Sequence, residues 1–487
     1  MGTNRAEFDP EESTVSGIRA GIESGETTAR DLVEWHLDRI ERFDEDLQAF
    51  ITVSERARER AADLDRRYEH SGFQGPLHGV PVVLKDNVDT TDMRTTAGTP
   101  ALADHRPDSD AVIVDRIRDA GGIVLGKTNL HELARAGTTV STVGGQTRNP
   151  YDRDRTPGGS SGGTGAAVAA NLGVVGIGTD TINSIRSPAS ACNLVGLRPT
   201  QGLVSRTGIV PSARTQDSAG PIARTVEDAA ILLSVIAGYD PGDPVTARGV
   251  GYATDFAAQL EGDLLGEARI GVLRSVFGEG PDFDPVTAVV EAAIDEIREA
   301  GATVVEIEPD TVRFDVDSLI DRIDVQKWEG QSDFDEYLDG HPEAPVESFQ
   351  ALVERGPIHE TIVENLLAAY GIEDPREYSH YLRRLARADD LRRRLFTVFA
   401  RDDLDALVFP HQKRPVVEIG ESQLDRNGFL ASGSGFPAIV VPAGFTGEDV
   451  PVGIEFLGRP FEDSRLLSLA RDFEARTTHR RPPPGFR

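Results

Sequence analysis

Residues 157–188 read PGGSSGGTGAAVAANLGVVGIGTDTINSIRSP, and glycine fills five of the first nine positions. Glycine at this density serves where the backbone takes unusual angles or comes close to a ligand. The Lys-Ser/Thr pair that closes a Walker A phosphate loop is absent, and an Ala-rich helical run begins directly at residue 164, which disfavours a flexible linker. The stretch therefore predicts a functional loop, then a helix over 164–170 and a strand over 174–178.

The same alternation of strand and helix precedes this stretch. Residues 80–84 form a short apolar β run that ends at Lys85, Asp110 is expected to cap a helix ending before Gly121, and residues 123–125 restart a strand. Such β-α-β alternation is typical of a parallel sheet with helices on both faces. The predicted fold is α/β, a large mixed, mostly parallel β-sheet between helical layers. Lys85 then stands at a strand end, where functional side chains of α/β folds tend to sit.

The chain is predicted to form one domain over residues 1–487. Residues 1–70 are expected to form an N-terminal helical layer, with a capping box at Thr28. Residues 314–401 carry helical patterns without clear strands, which predicts a helical excursion on the substrate side. Beyond it β runs return, at residues 406–409, 437–441 and 452–456. One sheet built from both halves of the chain is therefore favoured over two domains.

The chain is strongly acidic, with 81 acidic and 51 basic residues and a formal net charge of −30. Such a field repels the phosphates of nucleic acid and of anionic lipid, so neither is an expected partner. Only four basic residues are lysines, namely Lys85, Lys127, Lys327 and Lys413. An acidic, halophilic surface together with a GC-rich codon bias is favoured over codon bias alone, because codon bias does not by itself produce an excess of acids.

The single cysteine, Cys192, excludes an intrachain disulfide and a metal site built from cysteines. Residues 1–13 are polar and acidic where a secretory signal needs an apolar run. No stretch reaches the ~18 to 20 apolar residues of a membrane span. The expectation is a cytoplasmic protein without membrane contact.

An ordered set of motifs resembles the amidase signature family. The motifs are Lys85 after an apolar strand, Gly-Gly-Ser160-Ser-Gly-Gly, Gly-Thr-Asp180 leading to Ser184-Ile-Arg186, Cys192, Val-Gly-Leu-Arg-Pro-Thr200 and Gly-Pro-Ile-Ala-Arg-Thr225. Ser160 and Ser184 stand 24 positions apart, the separation seen in that family. The resemblance is continuous over residues 79–238, the signature core, with a weaker likeness over 451–458. Each motif is weak alone, but the set in this order is specific.

The resemblance implies a Ser-Ser-Lys triad. Ser184 attacks the amide carbonyl, and Lys85 is the terminal base. Ser160, preceded by a cis peptide bond from Gly159, relays the proton between them. A buried lysine can act as a base once desolvation lowers its pKa and leaves the amine neutral. Ser161 is the alternative relay, but the family pattern favours Ser160 and leaves Ser161 to hydrogen-bond within its loop. The triad needs neither metal nor nucleotide, so no cofactor and no metal are expected.

Family position also implies which residues contact the substrate. These are Ala134, Ser160, Thr181, Ile182, Asn183 and Ser184. Asp180 and Arg186 are expected to support the loop that carries the nucleophile. The neighbours His131 and Glu132 could form an acid/base or metal pair, but adjacent residues on a helix point in different directions, so surface exposure is expected.

The chain departs from the family pattern just before Ser184. Family members commonly carry Gly-Gly there, and this chain has Ile182-Asn183. Backbone N–H groups at this place form the oxyanion hole, where one donor can be worth about 2.7 to 4 kcal/mol in serine hydrolases. Ile and Asn keep these donors, but a β-branched Ile does not tolerate the left-handed backbone that is open to glycine. Asn193 likewise replaces the usual glycine after Cys192.

The implied function is hydrolysis of a carboxylic amide to an acid and ammonia or an amine through an acyl-enzyme on Ser184. Two alternatives stay open. One is the glutamine-hydrolysing A subunit of a tRNA-dependent amidotransferase, which works with partner subunits; the other is a catalytically impaired amidase-fold protein that binds a ligand. Residues 201–212 and 452–460 look more like those of stand-alone amidases. The expected partners are a small-molecule amide and a second copy of the chain in a homodimer, without direct contact to nucleic acid.

Overall fold

A computed structural model describes residues 8–307 and 316–486. In this part of the chain eleven strands form one sheet, and β4 and β5 form a separate ribbon. The strands are β1 (Phe50–Val53), β2 (Pro81–Lys85), β3 (Ile123–Thr128), β4 (Val140–Ser141), β5 (Gly145–Gln146), β6 (Val175–Asp180), β7 (Val195–Arg198), β8 (Ser218–Ala223), β9 (Arg269–Leu273), β10 (Thr303–Ile307), β11 (Ala406–Pro410), β12 (Ala438–Phe445) and β13 (Pro451–Leu457). The spatial order in the sheet is β1-β3-β2-β6-β8-β7-β12-β13-β11-β9-β10.

The α-helices of the described residues lie between and after these strands. They are α1 (Val15–Ser24), α2 (Ala29–Leu47), α3 (Ala57–Ser71), α4 (Val112–Asp119), α5 (Gly162–Ala169), α6 (Arg186–Ala191), α7 (Val226–Ile236), α8 (Asp284–Glu299), α9 (Val316–Ile323), α10 (Gln326–Asp339), α11 (Phe349–Arg355), α12 (Val363–Ala369), α13 (Ser379–Asp402), α14 (Phe429–Ser434) and α15 (Asp463–Thr477).

Helices cover both faces of the sheet. On one face α1, α4, α7, α8 and α15 share an apolar core with strand residues such as Val82 and Leu84. On the other face α2, α3, α5 and α6 share a core with Val83. Because successive strand side chains point to opposite faces, Lys85 emerges on the same face as Val83. The fold therefore directs Lys85 toward the layer that contains α5.

The α/β class and the mixed sheet are confirmed, but the expected majority of parallel strands is wrong. Of the ten neighbouring pairs in the sheet, four are parallel and six are antiparallel. The β-α-β signal came from the segment around β2, where the pairs with β3 and β6 are parallel. Elsewhere antiparallel pairs predominate. For example, the short connection 446–450 joins β12 and β13 into an antiparallel pair.

Local capping signals predict some helix starts and not others. Thr28 forms the expected capping box at the start of α2, and the Thr225 side chain caps α7. Asp110 was expected to cap α4, but that helix begins after Ala111 without a side-chain cap. Asp110 instead accepts hydrogen bonds from the N–H and the hydroxyl of Thr91, at 2.6 and 2.9 Å.

The predicted excursion is helical where the structure describes it, and its place on the substrate side stays a prediction. Within its described part, residues 316–401, the structure contains helices and no strand; residues 314 and 315 lie outside the described residues. The expected N-terminal layer is divided between the two faces of the sheet, because α1 packs on one face and α2 and α3 pack on the other. The same segment also contains β1, an edge strand that the sequence patterns did not predict. One sheet holds strands from both sides of the excursion, while the single domain over residues 1–487 stays a prediction. In the ranges the structure describes, no helix has the length and apolar character needed to cross a membrane.

Candidate active site

Lys85 closes strand β2 and is fully buried. Its Nζ lies 2.8 Å from Ser160 Oγ and 2.7 Å from Thr179 Oγ1. Burial lowers the pKa of Lys85 from 10.5 to about 7, and the charges of Asp217 and Asp180 oppose this shift only in part. An amine that is partly neutral near pH 7 can accept a proton from the Ser160 hydroxyl.

Ser160 lies in the Gly-rich loop ahead of α5. The Gly159–Ser160 peptide bond is cis, as the family resemblance implied. Thr139 holds this loop at two points, because its hydroxyl donates to the Gly158 carbonyl at 2.7 Å and accepts from the Gly162 N–H at 3.0 Å. These contacts fix the Ser160 side chain within reach of Lys85.

Ser184 lies in the loop between β6 and α6, next to the Gly-rich loop. Its carbonyl accepts a hydrogen bond from the Ser161 N–H at 3.3 Å. Ser184 is 7% exposed, whereas Lys85 and Ser160 are 0% exposed. Within the described part of the chain, no hydrogen bond joins the Ser184 hydroxyl to Ser160 or Lys85. Of the three side chains, that of Ser184 is therefore the one a substrate can reach first.

The backbone before Ser184 tolerates the two departures from Gly-Gly. Neither Ile182 nor Asn183 has a positive φ, whereas Asn193 lies in the left-handed region with a φ of 53°. Asn is among the side chains that accept this region, so its presence in place of glycine is understandable. Among the described residues, no acceptor is bonded to the N–H groups of Ile182, Asn183 and Ser184. Three adjacent N–H groups without a protein partner can donate to an oxyanion.

The side chains of Ile182 and Asn183 have contacts of their own. Asn183 Nδ2 donates to the Gly159 carbonyl at 3.3 Å and so joins the nucleophile loop to the Gly-rich loop. Ile182 packs against the apolar cluster that contains Leu391 and Phe429. The two residues therefore add contacts around the loop.

A buried network of charges holds the nucleophile loop from inside the protein. Asp180 pairs with Arg186 at 3.1 Å and with Arg198 at 3.0 Å, and Arg186 pairs with Glu455 at 2.5 Å. Arg186 also donates to the Ile182 carbonyl at 2.7 Å. Burial raises the pKa of Asp180, but the two arginines outweigh it and hold that pKa well below its usual range. This geometry agrees with the supporting role expected for Asp180 and Arg186.

A small cavity continues from these loops. Its lining includes Asn87, Ala134, Thr179, Thr181, Val210 and Asp217. Ala134 takes a positive φ of 56°, and Thr181 Oγ1 donates to Asp217 at 2.6 Å. Of the residues expected to contact substrate, Ala134 and Thr181 line this cavity. Ile182, Asn183 and Ser184 follow Thr181 in the chain, and Ser160 faces Lys85 behind them.

Comparison with known proteins assigns this geometry to a family. The model of the Amidase family matches residues 31–467. The chain belongs to the amidase family. The A subunit of glutamyl-tRNA(Gln) amidotransferase from Halorhodospira halophila is 36% identical to this amidase, over 98% of this chain and 99% of that protein. The protein of the same name from Carboxydothermus hydrogenoformans is 35% identical, over 96% and 98% of the two chains.

Solved structures of the same family match this chain as well, and a peptide amidase is among them. Native peptide amidase from Stenotrophomonas maltophilia matches this amidase with a TM-score of 0.87 at 36% identity, covering 98% of this chain and 99% of that one. The A subunit of glutamyl-tRNA(Gln) amidotransferase from Thermotoga maritima matches with a TM-score of 0.76 at 29% identity, covering 96% and 95%. These matches confirm two predictions, the amidase signature fold and the enzyme class, a hydrolase that acts on amide C–N bonds.

Sequence reasoning did not select two side chains of the amidase site, Thr179 and Asn87. Thr179 Oγ1 accepts hydrogen bonds from Lys85 Nζ at 2.7 Å and from Asn87 Nδ2 at 3.1 Å. A polar residue near the carboxyl end of a strand beside β2 is the signal that could have identified Thr179. Ser161 was expected to bond within its own loop, but its hydroxyl donates to the Thr179 carbonyl at 3.2 Å.

The surface exposure expected for His131 and Glu132 is wrong. The two residues are 1% and 0% exposed. The His131 N–H donates to the Ser160 carbonyl at 3.0 Å, and Glu132 accepts from the hydroxyl of Thr142 at 2.6 Å. Burial lowers the pKa of His131 to about 3. Both residues lie in a tight turn beneath the Gly-rich loop, where neighbouring side chains can both be enclosed.

Three side chains with donor atoms suited to a metal lie together in the amidase. These are Asp89, His105 and His341, whose ligand atoms lie within 4.8 Å of one another. The Tyr337 hydroxyl donates to Asp89 at 2.9 Å and lies 2.9 Å from His105 Nε2, while His341 Nε2 lies 3.2 Å from Asp89. Hydrogen bonds among these four side chains account for the cluster, which ties the end of α10 to the segment after β2.

Proposed function

We propose that this amidase hydrolyses a carboxylic amide to an acid and ammonia or an amine through an acyl-enzyme on Ser184. The observation that carries the proposal is the 2.8 Å contact between Lys85 Nζ and Ser160 Oγ. The same surroundings lower the pKa of Lys85 to about 7, so the amine can take a proton near neutral pH. A serine hydroxyl is a poor nucleophile until a neighbouring base accepts its proton. Lys85 is assigned as the base, Ser160 as the relay and Ser184 as the nucleophile.

The first half of the reaction forms the acyl-enzyme. Ser160 passes its proton to Lys85 and takes the proton of Ser184, whose Oγ bonds to the amide carbon as the carbonyl electron pair moves to oxygen. The free N–H groups of residues 182–184 bind this oxyanion. Lys85 then returns the proton through Ser160 to the leaving nitrogen, and the C–N bond breaks. Apo structures often lack the final catalytic hydrogen bonds, so the Ser184 to Ser160 contact is expected to form with substrate bound.

The second half hydrolyses the acyl-enzyme. A water molecule gives its proton to Lys85 through Ser160 while its oxygen attacks the ester carbon. The proton then returns to Ser184 Oγ as the ester bond breaks, and the acid leaves. The cycle restores all three side chains and consumes one water.

The second candidate is the glutamine-hydrolysing A subunit of a tRNA-dependent amidotransferase. It is favoured by the relatives that carry that name at 36% and 35% identity. A stand-alone amidase is favoured by the structural comparison, since the peptide amidase matches with the higher TM-score and identity, 0.87 and 36% against 0.76 and 29%. We take the stand-alone amidase as the main proposal because of this higher structural similarity.

Labelling with a fluorophosphonate probe in molar KCl, followed by mass spectrometry of the labelled peptide, tests the assignment. We expect the label on Ser184 and none on Ser160 or Ser161. Lys85→Ala should slow labelling by roughly 10²- to 10⁴-fold, the usual contribution of a general base. Lys327→Ala changes an exposed lysine and should label at the native rate.

Turnover by the isolated chain separates the candidate functions. Hydrolysis of any member of a panel of aliphatic, aromatic and peptide amides without a partner supports the stand-alone amidase. Glutaminase activity that appears only with co-purifying subunits supports the second candidate. A protein that neither takes the label nor hydrolyses any amide is instead an amidase-fold binding protein.

A further inference from the structure

Arg426 stands at the edge of the candidate active site. It precedes by two residues Gly428, which packs so closely on Asn183 that a Cβ at this glycine would lie 2.9 Å from the Ile182 carbonyl oxygen. Arg186, which holds the nucleophile loop, also donates to the Gly428 carbonyl at 2.9 Å. The backbone that carries Arg426 is therefore fixed beside the residues that precede the nucleophile.

The other end of the Arg426 side chain lies on the Gly-rich side of the site. Its guanidinium packs on Gly137, where a Cβ would lie 3.0 Å from Arg426 Cζ. Gly137 in turn contacts Gly159, where a Cβ would lie 2.8 Å from the Gly137 carbonyl carbon. The side chain thus extends from the loop before Ser184 toward the loop before Ser160.

The charge of Arg426 has no protein partner. Among the described residues its guanidinium forms no hydrogen bond and no ion pair, whereas nearby Arg414 pairs with Asp425 at 2.6 Å. Burial lowers the pKa of Arg426 to about 10, with no carboxylate to oppose the shift, although part of the side chain still reaches solvent. None of the guanidinium nitrogens is fully enclosed, so a ligand can reach this cation. A cation without a protein partner is unexpected in a chain whose acids outnumber its bases 81 to 51.

We propose that Arg426 binds a carboxylate carried by the substrate, so that the preferred substrates are ω-amides of acidic compounds, such as monoamides of dicarboxylic acids. The inference rests on the proposed function, because it places the carboxylate on the molecule whose amide reaches Ser184. A planar guanidinium can donate to both carboxylate oxygens at once, which fixes orientation as well as position. With the carboxylate held between the two loops, the amide end is directed toward Ser184.

Rates with a charged and a neutral substrate of equal length test this assignment. Glutaramate carries the carboxylate and pentanamide is its uncharged counterpart. We expect Arg426→Gln to lower kcat/KM for glutaramate by about 10- to 100-fold, the range of a charge-assisted bidentate contact, and to change pentanamide by less than about 3-fold. Arg426→Lys should lie between the two. Arg58→Gln removes the same charge from an exposed salt bridge with Glu34 and should change neither rate.

Binding of glutarate, measured by calorimetry, keeps the test independent of turnover. Glutarate binding that weakens about 10-fold or more in Arg426→Gln, without hydrolysis of any amide, supports the carboxylate site and contradicts the proposed function. Equal losses for glutaramate and pentanamide overturn the inference. So does glutarate that fails to bind the native protein, or that binds Arg426→Gln as tightly as it binds the native protein. If glutamine is hydrolysed faster than glutaramate, and this hydrolysis is lost in Arg426→Gln, the carboxylate site is retained and the amidotransferase function is favoured.

Discussion

Two lysines near the candidate site are fully buried, and their partners differ. Lys127 Nζ lies 3.2 Å from Asp86 Oδ1 in a salt bridge whose two side chains are both enclosed. Lys85 instead faces the hydroxyl groups of Ser160 and Thr179. A carboxylate at this distance favours the charged form of a buried lysine, whereas hydroxyl partners leave the desolvation of the ammonium largely uncompensated. Neighbouring strands thus carry one lysine suited to structure and one suited to proton transfer.

The rate of amide hydrolysis should rise with pH as Lys85 loses its proton. Because the pKa of Lys85 is about 7, we expect kcat/KM to be half-maximal near that pH, low below it and level above it. Lys85→Arg keeps a positive charge that cannot be given up, so it should lower kcat/KM by roughly 10²- to 10⁴-fold. Lys127→Arg is the control and should leave the midpoint in place. A profile without this rise, measured with the substrate saturating and subsaturating, would contradict the role of Lys85 as base.

Motifs in the sequence select the three proposed catalytic residues, but they do not select the residues around them. Lys85, Ser160 and Ser184 each stand in a local motif, so order along the chain is enough to select them. Thr179 contacts Lys85 only because two strands are neighbours, and the position of Arg426 depends on a loop more than 200 residues away. Whether Ile182 and Asn183 can replace Gly-Gly before Ser184 depends on their backbone angles, which motif patterns do not determine.

At the scale of elements, the glycines of the Gly-rich loop and of α5 are required by close contacts between backbone segments. A Cβ at Gly163 would lie 2.6 Å from the Asn129 backbone nitrogen, so only glycine lets the start of α5 approach the chain after β3. The sequence therefore predicts this loop and helix correctly. It does not reveal β7 and β8, because these strands are short, contain Gly and Pro, and take their direction from distant partners.

The contact between α10 and the segment after β2 should depend on pH through His341. His341 Nε2 lies 3.2 Å from Asp89, and its Nδ1 lies 2.8 Å from the Tyr337 carbonyl. Burial lowers the pKa of His341, but these bonds and the charges of Asp89 and Asp108 outweigh it and raise the pKa above 6.5. A raised folded-state pKa means that protonated His341 adds stability fully below the unfolded pKa of about 6.5, and that this stability is lost as pH rises through the folded value.

Substitution of His341 should therefore destabilise the protein at low pH more than at high pH. We expect His341→Gln to lower the free energy of unfolding by roughly 1 to 2 kcal/mol near pH 5.5, the order of a hydrogen bond to a charged group, and by less near pH 9. Urea denaturation at the two pH values measures the difference. His70→Gln, at an exposed position, is the control. A His341→Gln effect that is equal at both pH values, or larger at pH 9, contradicts the assignment.

At the scale of the whole molecule, the net charge of −30 acts on every part of the fold. Many acids are paired with arginine on the surface, as in the contacts of Arg274 with Glu291 and Glu306. With 81 acids and 51 basic residues, however, pairing leaves a large excess of carboxylates. Unfolding moves these like charges apart, so their repulsion opposes the folded state at low ionic strength.

Added salt should therefore stabilise the protein. The screening length falls from about 10 Å at 0.1 M to about 3 Å at 1 M salt, so the repulsion between surface carboxylates is strongly screened in molar salt. We expect the melting temperature to rise by at least several degrees between dilute buffer and molar KCl, with most of the rise at low concentrations where screening changes most. An isosmotic sucrose series is the control, because an excluded osmolyte favours burial without screening charge. A melting temperature that stays flat in KCl, or that follows KCl and sucrose equally, would remove the acidic surface as a cause and leave the acid excess without a role in stability.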